Sequence, residues 1–295
     1  RIIKIQKTKI INYLKKGGVP IVAGFQGINS DFRITTLERG GSDTSAILCA
    51  KFFNAEKCII YTDVEGVFTT DPNLTKAAKK IDKISYEEML EMASLGSKVM
   101  QPASIQEARL NRIEVDVRST FSKKTGTSIT KKKNIINKNI IRGISFTKND
   151  AKITLIGVKD KPGVAASIFK PLYENSINVD MVVQNISANS RETDLTFTIK
   201  LEDLLKTKKI LQNNKSIKFK KLIVNKNVSK VSIVGVGMVT TPGVTYRMFK
   251  ALAKKKINIE VISTSEIKIS VLINKKNLKK SVEILHQEFK LNHNL

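Results

Sequence analysis

Arg39, Gly40, Gly41, Ser42 and Asp43 stand in an unbroken row inside residues 36–45, TLERGGSDTS, and they are the residue types from which an anion site is built. Residues 44–53 are small and apolar enough to be helix, so the row reads as a helix entrance. Glycines let backbone N–H groups come close to a ligand. Ser42 and Asp43 are expected to cap the helix, and free first-turn amides together with the helix dipole favour negative charge. Arg39 adds a planar fork that fits a carboxylate or a phosphate. The same residues also suit a well-capped loop before a core helix, and the stretch alone leaves the two readings level.

The elements that would hold this row follow from the pattern around it. Residues 2–16 have helical apolar spacing and stop at Gly17 and Gly18. Residues 19–23 read as a short buried strand, and 29–35 as a polar loop or small hairpin. After the helix, at most to residue 54, residues 58–62 (CIIYT) read as a buried strand with Asp63 at its carboxyl end. Strand, helix and strand in that order imply a parallel sheet, whose ligands lie beyond the carboxyl ends of the strands. Asp71-Pro72 signals a turn. Ser85 with Glu88 three residues on is a capping box for a helix through Ser94, ended by Gly96. Residues 102–111 suggest a further helix and 115–119 a strand. Residues 122–139, rich in Lys, Thr and Asn, suggest the end of a domain and a linker.

Beyond the linker the chain repeats. AKITLIG (151–157) matches SKVSIVG (229–235), Pro162-Gly163-Val164 matches Pro242-Gly243-Val244, and Asn178-Val179-Asp180 matches Asn258-Ile259-Glu260. Each copy reads strand, Pro-Gly turn, helix, strand, strand, helix. The first copy adds a strand near 217–224, and the strand 140–146 is expected to complete the second, so that one module is inserted in the other. Gly235 and Gly237 follow a strand like a dinucleotide fingerprint, but Thr240 stands where the third glycine belongs.

Composition narrows the class. The 295 residues should form two or three domains. The chain begins at Arg1 without an initiator Met, which implies processing or a missing beginning. No run of 18 apolar residues and no signal-peptide pattern occurs, so a soluble cytoplasmic protein with no membrane partner is expected. Cys49 and Cys58 match no metal or redox spacing. The net charge of +26 invites a nucleic-acid reading, but only nine of the 52 basic residues are Arg, the Lys are scattered, and no aromatic and basic residues alternate as a stacking groove requires. Solvated lysine-rich faces account for the charge, and no nucleic-acid partner is expected. His286 and His293 lie near the end of the chain, outside any apparent site.

Six segments, VAGFQG (22–27), RGGSDTSA (39–46), YTDVEGVFTTDP (61–72), SYEEMLEMASLGSKV (85–99), DKPGVAASIF (160–169) and NIEVISTSEIKISVLI (258–273), occur in order over nearly the whole chain. Together they resemble the aspartate kinase family of the amino acid kinase superfamily. The resemblance implies an α/β chain: a three-layer α/β/α amino acid kinase fold, N-terminally truncated, followed by two βαββαβ ferredoxin-like ACT modules that bind amino acids as effectors. The implied domains are the C-terminal portion of the kinase domain at 1–138, a first ACT module at 148–228, and a second at 139–147 plus 229–295. The implied activity is Mg²⁺- and ATP-dependent phosphorylation of the side-chain carboxylate of L-aspartate to 4-phospho-L-aspartate. That is the first step of lysine, threonine and methionine biosynthesis, with feedback control through the ACT modules. Lysine and/or threonine are the implied effectors, and pairing of ACT modules implies a dimer.

Residue by residue, the resemblance makes Arg39 a clamp for the α-carboxylate, with Gly40, Gly41 and Ser42 as donors. Asp43 would orient the substrate amine and a catalytic lysine. Thr62, Asp63, Phe68 and Asp71 would form the nucleotide edge, with Lys98 reaching the phosphates. Asp160, Gly163, Asn178, Asp180 and Gln184 would line a first effector site, and Thr245, Asn258, Ile259, Ser265 and Glu266 a second. The substrate carboxylate is already a nucleophile, so no catalytic histidine is needed. Three departures stand out. The family's N-terminal KFGG-type segment is absent, so this polypeptide alone is expected to lack useful kinase activity that the full-length product has. Glu38 replaces a usual glycine beside Arg39. Asn73 and Ala103 stand where arginine is common. Two rivals remain: a non-catalytic amino-acid sensor, and a kinase for glutamate or a nucleotide.

Overall fold

The computed structural model describes residues 2, 4–97, 99–132, 139–186, 192–214 and 216–292. Helix α1 (Thr8–Lys15) is shorter than the 2–16 expected and buries none of its residues. Residues 19–23 form no strand: Val19 is 81% and Ile21 99% exposed. An apolar run becomes a strand only where a neighbour satisfies its backbone, and no described strand pairs with this one. The chain instead makes the small hairpin of β1 (Gln26–Ile28) and β2 (Ile34–Thr36).

Helix α2 (Gly41–Phe52), β3 (Lys57–Thr62), β4 (Lys83–Ser85), α3 (Tyr86–Ser94), α4 (Pro102–Asn111), β5 (Glu114–Ser119) and β6 (Thr127–Thr130) follow. The four strands form one mixed sheet in the order β3-β5-β6-β4; β3 and β5 are parallel, but the parallel partner expected for 58–62 at 19–23 is absent from it. Strand β6 corrects the linker reading of 122–139, because it pairs antiparallel with β5. Its core-facing positions are Thr127 and Ile129. The Thr127 hydroxyl donates to the Ile81 carbonyl at 2.6 Å and accepts the Val67 N–H at 2.8 Å. Bonds to backbone so distant in sequence leave no apolar signature to read.

Side chains alternate across this sheet. Cys58, Val115 and Val117 enter a core shared with Ile47, Met89 and Ile105 of the helices. On the other face Lys57 and Arg118 both bond Asp116, at 3.0 and 2.5 Å. Burial pulls the Asp116 carboxyl up, but these two hydrogen bonds outweigh it and hold the group below its ordinary 3.8. The contribution to stability is therefore present above that value and is lost as pH falls through the lowered one.

The rest of the chain builds a six-stranded antiparallel sheet. Its elements are β7 (Gly143–Lys159), α5 (Val164–Glu174), β8 (Val179–Ile186), β9 (Glu192–Lys200), α6 (Leu204–Asn213), β10 (Lys221–Val234), α7 (Val244–Lys254), β11 (Ile259–Thr264), β12 (Lys268–Asn274) and α8 (Leu278–Glu288). The strand order is β11-β12-β10-β7-β9-β8. Strands β7 and β10 each serve both halves. Residues 152–156 pair with 221–225, and after register shifts 143–147 pair with 230–234. The strand expected at 140–146 thus begins at Gly143 and joins the first strand of the second repeat. Across the two halves Lys152 pairs with Glu260 at 2.6 Å and Lys230 with Asp180, two contacts related by the repeat.

The second half rests on the first domain through polar contacts. The Ser145 hydroxyl donates to the Met92 carbonyl at 3.2 Å, and Lys268 pairs with Glu91 at 3.0 Å. Buried Arg142 meets buried Glu88 at 3.5 Å. Among the described residues no helix is long and apolar enough to cross a membrane.

Candidate functional site

The entrance to α2 starts earlier than the sequence implied. Gly40 is the N-cap, left-handed at φ 81°, and no side chain caps the helix. Ser42 and Asp43, expected as caps, lie inside the first turn, because Gly40 already turns the chain and its carbonyl accepts the Thr44 N–H at 3.1 Å. A Cβ at Gly40 would come within 2.4 Å of the Gln101 side chain at the start of α4. Gly40→Ala should therefore lower stability by about 1–3 kcal/mol. Urea denaturation checks this, with Gly27→Ala, which meets no atom within 4 Å, as the near-neutral comparison.

Arg39 and Ser42 are exposed and Asp43 is half-buried. The VAGFQG segment reaches the entrance from the other side. The Leu37 N–H donates to the Phe25 carbonyl at 2.9 Å, and Gly24 lies against Ser42. Among the described residues no cation pairs with Asp43, and burial raises its pKa. Burial also pushes the Cys58 thiol up to about 11, with the Asp43 charge and Cys49 adding to it, so the carboxylate faces β3.

Chain direction brings the two predicted groups to one end of the sheet. Helix α2 runs away from the entrance and β3 runs back beside it, so the first turn of α2 and the carboxyl end of β3 coincide. There the Thr62 carbonyl accepts the Thr120 N–H at 2.8 Å and the Thr62 hydroxyl donates to Asp63 at 3.1 Å. Asp63 is exposed at the strand end and Phe68 is half-buried. Asp71 accepts the Asn73 N–H at 2.8 Å, an Asx turn that shapes its own loop. The neighbouring Thr70 hydroxyl is buried without a hydrogen-bond partner among the described residues. Lys98 lies outside the described residues.

The predicted effector residues fall into two sets at matching places in the repeat. Gly163 and Gly243 are both left-handed helix N-caps, at φ 88° and 87°. Asp160, Asn178, Gln184, Thr245, Asn258, Ser265 and Glu266 are exposed and Ile259 is half-buried. Asp180 is held by Lys230. Asn178 alone of the set lines a cavity of about 530 Å³, with Phe169, Tyr173 and Val182 among its walls.

Sequence reasoning missed Gln101 beside Gly40. It also placed His286 outside any site, whereas this ring is buried and lies 2.8 Å from the Thr69 hydroxyl, between Phe68 and Asp71 in sequence. No local signal could have linked residues 217 positions apart.

Comparison with known proteins defines the class. Residues 1–119 match the amino acid kinase family, and residues 153–214 and 231–289 match the ACT domain. The fold is thus an amino acid kinase fold followed by ACT domains. The chain is 47% identical over 293 residues to an aspartate kinase of Pseudomonas fluorescens (strain SBW25), covering 99% of this chain and 71% of that one. It is 41% identical over 292 residues to aspartokinase 2 of Bacillus subtilis (strain 168), with the same two shares. Among solved structures it superposes on aspartate kinase of Clostridium acetobutylicum with a TM-score of 0.82 at 26% identity, covering 90% of this chain and 62% of that one. For E. coli aspartokinase III in complex with aspartate and ADP the values are 0.78, 29%, 95% and 62%. The chain belongs to the aspartate kinase family. It spans 71% of the length of the curated relatives named and 62% of the solved ones.

Proposed function

We propose that this protein phosphorylates the side-chain carboxylate of L-aspartate with ATP, giving 4-phospho-L-aspartate. The observation that carries the reading is the α2 entrance: a left-handed Gly40 opens a helix whose first turn holds Asp43 and whose approach holds Arg39. In this reading Arg39 grips the α-carboxylate and Gly40, Gly41 and Ser42 supply nearby donors. Asp43, half-buried without a cationic partner among the described residues, takes the substrate ammonium. Thr62, Asp63, Phe68 and Asp71 meet the nucleotide at the same end of the sheet, and Lys98 serves its phosphates. These residues align nucleophile and phosphoryl group and offset developing charge.

Mg²⁺ would accompany the nucleotide. Among the described residues no three Asp, Glu, His or Cys gather. That donor set suits an ion held mainly by phosphate oxygens and water with one or two carboxylates, Asp63 and Asp71 being the candidates. When bound, the ion neutralises phosphate charge.

The two repeats, taken as modules at 148–228 and at 139–147 plus 229–295, bind lysine and/or threonine at the two residue sets above. Copies of the chain pair through these modules. E. coli aspartokinase III in complex with lysine and aspartate, at 28% identity and a TM-score of 0.77, supports lysine. Aspartate-dependent hydroxamate formation with ATP by the full-length protein, measured beside glutamate, tests the activity. Lysine binding without any ADP binding would instead favour a sensor.

Glu38 is exposed and makes no ion pair with Arg39. Glu38→Gly should therefore change the aspartate KM by less than about threefold, since exposed charges interact weakly. A tenfold drop would mean that Glu38 competes for the Arg39 guanidinium. Asn73 and Ala103 are also exposed.

A further inference from the structure

We infer that His286, on α8 of the second repeat, is a positioning residue for the nucleotide loop 67–71. This deepens the kinase reading and rests on it. Val67 ties the loop inside its own domain, to Thr127 and Ile81, and Thr69 ties it across the junction. Thr69 exchanges backbone bonds with neighbours on both sides of the domain junction: its N–H donates to the Lys79 carbonyl at 2.8 Å, and its carbonyl accepts the Ile144 N–H of β7 at 2.7 Å. Its hydroxyl accepts the Lys79 N–H at 3.0 Å and lies 2.8 Å from His286 Nε2. A hydroxyl has one proton to give. It also has two acceptor sites, and Lys79 occupies one, so the hydroxyl can pair with His286 Nε2 in either direction according to the tautomer of the ring.

Two of the four bonds therefore come from the loop's own domain and two from the other one. Histidine and threonine are both buried, at 1% and 0% exposure, so water does not replace the contact when it is broken. The residues on either side of Thr69 are those assigned to the nucleotide: Phe68 before it, and Asp71 two positions after. The side chain between, Thr70, is buried and its hydroxyl finds no partner among the described residues. Phe68 is also bridged to Lys80, and the Asp71 carbonyl accepts the Leu74 N–H, but Thr69 is the loop residue that α8 reaches with a side chain. A displacement of α8 would reach the nucleotide without passing through the aspartate entrance.

The test is ADP binding by calorimetry on the full-length protein, together with the aspartate KM. His286→Leu and Thr69→Val remove the two sides of the contact at nearly constant volume. Each should weaken ADP about tenfold and leave the aspartate KM within twofold. The double variant should be no worse than Thr69→Val alone, because that single already removes the His286 contact together with the Lys79 bond. His286→Gln, whose amide can accept from or donate to the Thr69 hydroxyl near the Nε2 position, should restore ADP binding to within threefold. If His286→Leu does not fold, the near-isosteric Thr69→Val carries the test alone. Unchanged ADP affinity with a lowered melting temperature would make the contact a structural staple and overturn the inference. A parent protein that binds no ADP would overturn the nucleotide reading itself, and this inference with it.

Discussion

Arg142→Met should lower the unfolding free energy by about 3–5 kcal/mol, the usual cost of removing one partner from a buried ion pair. Both groups are buried, with Glu88 at 3% and Arg142 at 4% exposure. The Glu88 carboxylate also serves as the hub of the domain junction. It accepts the Ser85 N–H at 3.2 Å and the Ser85 hydroxyl at 2.9 Å, closing the capping box of α3, and it accepts the Val236 N–H at 3.2 Å from the second repeat. Without Arg142 its negative charge would stand uncompensated in a dry site. Arg142→Met,Glu88→Gln should recover part of the loss, since the neutral amide removes the stranded charge and keeps an acceptor for Ser85 or for Val236, though not for both. Urea denaturation at pH 8 reads both effects, and a loss under about 1 kcal/mol for Arg142→Met would show that the pair adds nothing.

The second large effect is expected at the aspartate site. Asp43→Asn should lower kcat/KM for aspartate about a hundredfold, near the roughly 3 kcal/mol upper range for a hydrogen bond to a charged group. Asparagine keeps the shape of the first turn of α2 but cannot offset an ammonium. Burial raises the Asp43 pKa in the free protein. The parent's kcat/KM should therefore fall on the acid side at a higher pH than an ordinary aspartate would give, because only the ionised form takes the substrate amine. In Asp43→Asn that limb should vanish. A variant that keeps the parent's activity and acid limb would remove Asp43 from the site. The same raised value means that the folded state holds this proton more tightly than the unfolded chain. Asp43 thus costs stability as pH rises through its titration, a cost that a bound ammonium would offset.

Much of the architecture was legible because its causes are local. Ser85 and Glu88 lie three positions apart, and that spacing alone specifies the capping box found at α3. The paired Pro-Gly turns at 162–163 and 242–243 announced two helices that do begin from left-handed glycines. The row from Arg39 to Asp43 pointed to a helix entrance, and one is there. Its detail was misread, since whether Ser42 caps or enters the helix depends on the backbone turn at Gly40 and not on residue type.

What the sequence by itself determined, then, is the set of elements whose signals span one turn or one strand, and the repeat that doubles them. The tertiary structure alone decided which of these elements satisfy one another. Strand β6 exists because Thr127 finds the Ile81 carbonyl, and residues 19–23 stay out of the sheet because no described strand pairs with them. His286 changed from a terminal histidine of no assigned role to the partner of Thr69, and Arg142 from one basic residue among 52 to the counter-charge of Glu88. The physical reason is common to all four. The energy of a buried polar group depends on the partner that folding brings to it, and that partner leaves no trace in the spacing of its neighbours.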